Sequence, residues 1–455
     1  MNNTNPVTAA PKPVTSRTVS PARLFAAEIL RRVEEQGSYA AVLLAEKEPE
    51  LRQDDRALCY VLVLGVLRWQ LWLDTLIEQF SGRRVETLDL PVRIALRLGL
   101  YQLRFLSRIP ASAAVNESVN LAYVGRVKSA AGFINAVLRR ALKEPAFDPV
   151  SAARDPLKQL AIATSHPLWL VERWVEQFGI DETRAFANSN NLAPPVSFRV
   201  SLGVSEEKIL AQLNQGGAKV TLSTITPGAW RVDGGAPTVR KLAGAGTIYV
   251  QDESSQLVAH LLQAAPGDRI FDACAAPGSK ATLIATLTGD RANIVAGDVH
   301  AHRLEQVKVA AKSQQLRSIS CIALDSAKPP FGAEVFDRVL VDAPCSGTGT
   351  LRRNPEIRWR ITNDSIASAS EQQFEILQGA AKTLKVGGRL IYSTCSVEMD
   401  ENERVIERFL TANSNFSAVL PTNLGQTGST TTHLRLWPHA DGADGFFASA
   451  LVRRN

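Results

Sequence analysis

Two short segments place cysteines among residues that make poor core. Asp342–Thr350 reads DAPCSGTGT, Ser393–Ser396 reads STCS, and each follows an apolar, β-branched run. Cys345 has a proline before it and polar, glycine-rich residues after it. A thiol is intrinsically nucleophilic, and its thiolate is accessible near neutral pH. Such a pair suits covalent chemistry in which one sulfur adds to an electron-poor carbon. Asp342 adds a carboxylate that can steady a ring nitrogen or amino group of the molecule attacked. Of the other cysteines, Cys59 and Cys321 read as small buried hydrophobes. Five cysteines, widely spaced and without a CxxC, argue against a disulfide framework and against a metal site.

A second constellation is DACAAPGSK, Asp272–Lys280, between an expected strand and an expected helix. Its small residues and glycine let the backbone come close to a ligand. It is neither GxGxxG nor the phosphate loop of a kinase or NTPase. Asp272, Asp298, Asp325 and Asp342 each stand at the end of an expected strand. An acid at such an end can accept hydrogen bonds from ribose hydroxyls, and its neighbours can receive an adenine amino group and a positive centre. S-adenosylmethionine carries all three. With that methyl donor, a thiolate that adds to C6 of cytosine makes C5 nucleophilic, and a base must then remove the C5 proton.

These groups need a scaffold that brings distant strand ends together. RIFDACA, NIVAGDV, SISCIALD, DRVLVDAP and RLIYSTC alternate with helical stretches from about Gly246. That pattern predicts a doubly wound, Rossmann-like parallel sheet, with ligands beyond the carboxyl ends of its strands. Adjacent strands would bring Cys345 and Cys395 to one edge. HLRLWPH and GFFASALVRR suggest a C-terminal hairpin. VSFRVSL, EEKILAQL, AKVTLSTI and AWRVDG form a small α+β, RRM-like module. The expected organisation is multidomain: a disordered tail over 1–20, an all-helical domain over 21–145, a helical linker with the α+β module over 146–240, and the sheet domain over 241–455.

The composition, 45% hydrophobic and 21% charged, is globular, and the net charge is +6. Between Pro91 and Lys143 nine Lys or Arg face one acid, Glu117, which suggests a polyanionic partner. Arg93, Arg97, Arg104 and Arg108 fall on one helical stripe, and Arg126, Lys128, Arg139, Arg140 and Lys143 form a second cluster. No apolar run reaches the ~18 residues that span a bilayer, and the first twenty residues lack the apolar core of a secretory signal. A cytoplasmic chain is expected, with no membrane partner and a monomer as the default state.

DACAAPGSK, DAPCSGTG and TCS together resemble the RNA cytosine-C5 methyltransferases of the Nop2/Sun family. AVNESVNLA (Ala114–Ala122) and GFINAVLRR (Gly132–Arg140) resemble a NusB-type RNA-binding domain. The combination is similar to enzymes that act on small-subunit (16S) ribosomal RNA, naked or in a partly assembled subunit. The resemblance implies S-adenosylmethionine as cofactor, held by Cys274, Ala275, Ala276, Pro277, Gly278, Ser279 and Lys280, with Asp298 on the ribose, Asp325 on the adenine side and Asp342 as the acid before the first cysteine. It implies Cys395 as nucleophile and Cys345 as the cysteine that assists product release, with Asp342 and Lys280 beside them. It also makes Arg352, Arg353, Arg358, Trp359 and Arg360 a basic stretch that faces RNA, where an aromatic among arginines suits stacking. One departure stands out: the family's loop ends in two glycines, and Ser279 replaces the second. If that position needs positive φ, serine is strained by about 1 kcal/mol; if φ is negative, the change is nearly silent.

Three other readings fit the motifs. One is the same chemistry on tRNA or 23S ribosomal RNA. Another is a non-catalytic RNA-binding or assembly protein with a relic domain. The third is a DNA cytosine methyltransferase, in which Cys345 would take the role of Cys395.

Overall fold

Proline opens three of the N-terminal helices, Pro21–Gln36, Leu90–Phe105 and Pro156–Thr164. Its fixed φ suits the first turn, where its missing N–H costs nothing. Gly37 and Gly82 end Pro21–Gln36 and Gln70–Ser81 in the left-handed conformation. The computed structural model describes residues 18–420 and 432–455; residues 1–17 of the expected tail lie outside the described residues. The chain divides into two compact units, Met1–Leu168 and Trp169–Asn455.

The first unit is all-helical. Leu90–Phe105 runs through its middle and buries Val92 and every residue from Ile94 to Gln102. Gln53–Arg68 passes close enough that a Cβ on Gly65 would lie 2.0 Å from the ring of Tyr101.

This packing corrects the reading of the arginine stripe. A helix buried on nearly every side has no open basic face. Arg97 is 4% exposed and donates to Asp74 at 2.7 and 2.8 Å and to Glu34 at 2.9 Å. Arg93 pairs with Glu34, and Arg104 donates to the carbonyls of Glu144 and Pro145. Arg108 lies beyond the helix end at Phe105 and is exposed. Three of the four arginines therefore tie the bundle together. By contrast Arg126, Lys128, Arg139, Arg140 and Lys143, on and just before helix Ala131–Lys143, are exposed.

The second unit opens with helices and then a four-stranded antiparallel sheet: β1 (Val196–Val200), β2 (Ala218–Leu222), β3 (Ala229–Gly234) and β4 (Ile248–Val250), in the order β2-β3-β1-β4. Helices Glu206–Gln215 and Ala236–Gly244 cover one face through Ile209, Leu213, Val239 and Leu242. The expected boundary at residue 240 falls inside the second helix. β4 is too short for period alone to show it, yet it pairs with β1 and completes the module.

The larger sheet holds β5 (Arg269–Asp272), β6 (Asn293–Asp298), β7 (Ile319–Ala323), β8 (Phe336–Asp342), β9 (Leu384–Thr394), β10 (Phe416–Val419), β11 (His433–Leu436) and β12 (Phe446–Arg453). Its order is β10-β12-β9-β8-β5-β6-β7, with β11 on β12. β5 to β9 are parallel neighbours, as their buried apolar runs predict. The C-terminal strands make the sheet mixed: β12 runs antiparallel to β9, and β10 and β11 pair antiparallel with β12. The chain winds outward from β5 to β7, then returns to β8 on the other side of β5. That reversal opens a crevice at the carboxyl ends of β5 and β8.

Candidate active site

Both constellations lie at this crevice. Asp272 ends β5 and is 1% exposed; among the described residues no group meets either carboxylate oxygen in good hydrogen-bond geometry, and the Cys274 N–H offers it only weak relief. Burial, reinforced by the charge of Asp342 and opposed by Lys280, pushes its carboxyl up to about 7. The following loop turns back through a bond from the Ala275 N–H to the Gly297 carbonyl at 2.8 Å. Gly278 has φ +102°, and a Cβ there would lie 2.9 Å from the Cα of Val307. Only glycine fits that position. Ser279 is the first residue of helix Ser279–Leu287 and is not among the residues of positive φ. The serine is unstrained, and the departure in the loop is of the nearly silent kind. Cys274 belongs to the loop, where burial and the charges of Asp272 and Asp342 raise its thiol well above the usual range, so it stays neutral.

Lys280 is buried and donates to Asp342 Oδ2 at 2.6 Å, with its ammonium over the ring of Phe446. Ser393 donates to the other oxygen, Oδ1, at 2.8 Å. Asp298 ends β6, accepts the His300 N–H at 2.9 Å and lies 3.5 Å from Arg303. Asp325 follows β7 and is exposed. A buried, poorly satisfied carboxylate, a loop whose Gly278 admits no Cβ and two further acids along the same edge suit a ligand with a positive centre and a ribose.

The register of β8 and β9 sets Asp342 opposite Ser393. Three residues beyond Asp342 and two beyond Ser393, Cys345 Sγ and Cys395 Sγ stand 3.4 Å apart, both half-buried and both free thiols. The hydrogen bond to Cys395, together with burial, holds the Cys345 thiol well above its ordinary range. The backbone fixes the pair: Gly349 donates to the Cys395 carbonyl at 3.0 Å, and Gly445 donates to Gly349 at 2.8 Å. A Cβ on Gly349 would lie 2.1 Å from the Gly445 carbonyl oxygen. Gly445, Phe446 and Glu401 contribute to the site without any signal in sequence spacing, since they lie outside the two cysteine segments.

The basic stretch after Cys345 needs correction. Arg352 is 4% exposed and donates to Asp444 at 2.9 Å and to the Gly442 carbonyl at 2.8 Å. Arg353 bridges Asp444 and Asp252. Arg358 is fully buried and donates to Asn191 at 2.9 Å; Trp359 is half-buried. Arg352, Arg353 and Arg358 brace the segment from inside, because acids and amides from three other segments surround it.

A family model described as 16S rRNA methyltransferase RsmB/F matches residues 259–452, which include both cysteines and the acidic strand ends. The NusB family matches 20–143, and a ferredoxin-like domain of RsmF/B-like methyltransferases matches 166–238. The ribosomal RNA small subunit methyltransferase B of Pseudomonas putida is 36% identical over 438 residues, covering 95% of this chain and 98% of that protein. This chain belongs to the RsmB/F ribosomal RNA methyltransferases. A Synechocystis relative described as "Probable ribosomal RNA small subunit methyltransferase B" is 38% identical over 95% of this chain and 99% of its own length. Among solved structures, PH0851 superposes with a TM-score of 0.82 at 28% identity, covering 96% of this chain and 100% of that one. The RsmB/F family explains the architecture: a NusB-type helical domain, a ferredoxin-like module and a Rossmann-like methyltransferase domain.

Proposed function

We propose that this RsmB/F methyltransferase uses S-adenosylmethionine to methylate C5 of a cytosine in 16S ribosomal RNA through a covalent bond between Cys395 and C6. The observation that carries the reading is the pair of free sulfurs 3.4 Å apart at the crevice, beside the Lys280–Asp342 ion pair. When bound, the cofactor supplies an electrophilic methyl group. Asp272, the loop 274–280, Asp298 and Asp325 would hold it.

The remaining steps belong to this chain and the base. The hydrogen bond to Cys395 and burial hold the Cys345 thiol above its ordinary range, which disfavours Cys345 as the attacking sulfur. Cys395 adds to C6, and the electron pair moves to C5, which becomes nucleophilic. Asp342, backed by Lys280 and Ser393, steadies the ring nitrogen or amino group of cytosine. Once Cys395 is bonded to C6, its hydrogen bond and charge no longer raise the Cys345 thiol, and only burial and Glu401 still do. Cys345 gives its proton to solvent and takes the proton from methylated C5. The C6–sulfur bond breaks, and Cys395 leaves as thiolate. A site at a sheet edge takes its base flipped or unpaired.

The exposed cluster Arg126, Lys128, Arg139, Arg140 and Lys143, with Arg108, is the RNA-contacting surface of the first unit. Free cysteines suit a reducing cytoplasm, and among the described residues no single helix is long and apolar enough to cross a membrane.

The test is methyl transfer from labelled S-adenosylmethionine to 16S ribosomal RNA. Wild type should label C5, Cys395→Ala should be inactive, and Cys345→Ala should accumulate a denaturant-resistant protein–RNA adduct. Activity in Cys395→Ala would overturn the assignment.

A further inference from the structure

Glu401 closes the short turn Met399–Glu401 after β9 and is completely buried. Its Oε1 accepts the Ser346 backbone N–H at 2.8 Å and Gln373 Nε2 at 3.0 Å. Its Oε2 accepts the hydroxyls of both Ser346 and Ser396, which are themselves 3.0 Å apart. Ser346 directly follows Cys345, and Ser396 directly follows Cys395. One carboxylate is thus bonded to the residue after each sulfur.

The surrounding groups complete the clamp. Gln373 Nε2 also donates to the Pro344 carbonyl at 2.9 Å, which holds the other side of Cys345. The Tyr392 hydroxyl donates to the Glu401 carbonyl, and Asn402 donates to the Ser396 carbonyl at 2.9 Å. Among the described residues no lysine or arginine forms an ion pair with Glu401. A buried carboxylate is costly unless hydrogen bonds repay its lost hydration. Burial does push this carboxyl up, against the hydrogen bonds of Ser346, Ser396 and Gln373. A neutral core would avoid that cost, so the position of these bonds is what the charge serves.

We propose that Glu401 is a positioning residue for the two-cysteine reaction: by binding Ser346 and Ser396 together, it sets the approach of Cys345 to Cys395. The inference rests on the reading of Cys395 as nucleophile and Cys345 as the group that completes release, and it names what aligns them. Addition does not need Cys345. Release needs Cys345 placed at the C5 proton, so the release step feels a loosened clamp most.

The experiment compares wild type, Glu401→Gln, Ser396→Ala and Cys395→Ala with labelled S-adenosylmethionine and 16S ribosomal RNA. Glu401→Gln should lower kcat about 100-fold, the scale of a 1 Å misplacement, with the KM for S-adenosylmethionine changed by less than about twofold. It should also accumulate the denaturant-resistant adduct. Ser396→Ala keeps the carboxylate and loses one hydroxyl; it should show the same pattern at about tenfold. Wild-type kcat in Glu401→Gln, or a lower kcat without any adduct, would overturn the inference. If Glu401→Gln fails to fold in a melting experiment, Ser396→Ala decides, and wild-type turnover there overturns it. Activity in Cys395→Ala would instead sink the parent reading, so the two failures are distinguishable.

Discussion

The arginines of helix Leu90–Phe105 and the cysteines beyond β8 and β9 carry equally regular signals, and only one set stands open to a ligand. Arg93, Arg97 and Arg104 share a helical stripe, yet Glu34, Asp74 and main-chain carbonyls occupy them. Cys345 and Cys395 are 50 residues apart, yet their sulfurs meet at a half-open edge. A helical stripe fixes direction but says nothing about what packs against it. Parallel strands have all their carboxyl ends on one edge, so residues just past those ends converge by topology. The sequence position of a catalytic group is therefore more informative in a parallel sheet than on a helix.

The largest expected effect tests the structural side of this contrast. Arg97→Ala leaves the largely buried Asp74 without its partner and should destabilise the first unit by about 3 kcal/mol. Urea unfolding measures it. A loss below about 1 kcal/mol would mean the pair is as weak as a surface ion pair, and would return Arg97 to the candidates for RNA contact. Next comes the catalytic edge. Gly349→Ala drives a Cβ into the Gly445 backbone, displaces the Cys395 carbonyl bonded to Gly349, and should lower kcat about 100-fold. Unchanged turnover would show that the two loops can shift apart without harm.

Much of this edge was legible because it is local. The five parallel strands and the acids at or just past the ends of four of them follow from apolar runs with a polar stop, and the loop 272–280 from its small residues. The α+β module was readable up to β3, but three-residue β4 shows no period. The functions of Arg352 and Arg353 were misread because their partner Asp444 lies about 90 positions away and no pattern marks it. Glu401 carries no mark either: nothing in MDENE distinguishes a surface acid from one buried between the two cysteine loops.

A smaller effect concerns Asp272. Its carboxyl is raised from an ordinary 3.8 to about 7 in the fold. The folded state thus holds the proton more tightly than the unfolded chain. The stability this contributes is complete below about pH 4 and is lost as pH rises through about 7. Wild-type melting temperature should fall across that window, and Asp272→Asn should flatten the fall. Affinity for S-adenosylmethionine should move the other way, tightening as the carboxylate ionises beneath a positive centre. An equal pH dependence in Asp272→Asn would assign both trends to another group.

The smallest effect sharpens the contrast from the RNA side. Arg139 and Arg140 sit on the exposed face of helix Ala131–Lys143, where Arg139 donates to Asn135 and Arg140 to Glu144 and the Phe80 carbonyl, with its guanidinium near the Phe80 ring. Reversing both charges should leave urea stability within about 0.5 kcal/mol, as expected for surface positions. If each touches a phosphate, the slope of log affinity against log salt should shrink by about 2. Arg97→Ala, assayed where it is still folded, should keep the wild-type slope. The reverse outcome, with the slope lost at Arg97 and kept at Arg139 and Arg140, would mean that RNA opens the ion pairs of the central helix on binding, and that burial in the free protein is no guide to which arginines RNA reads.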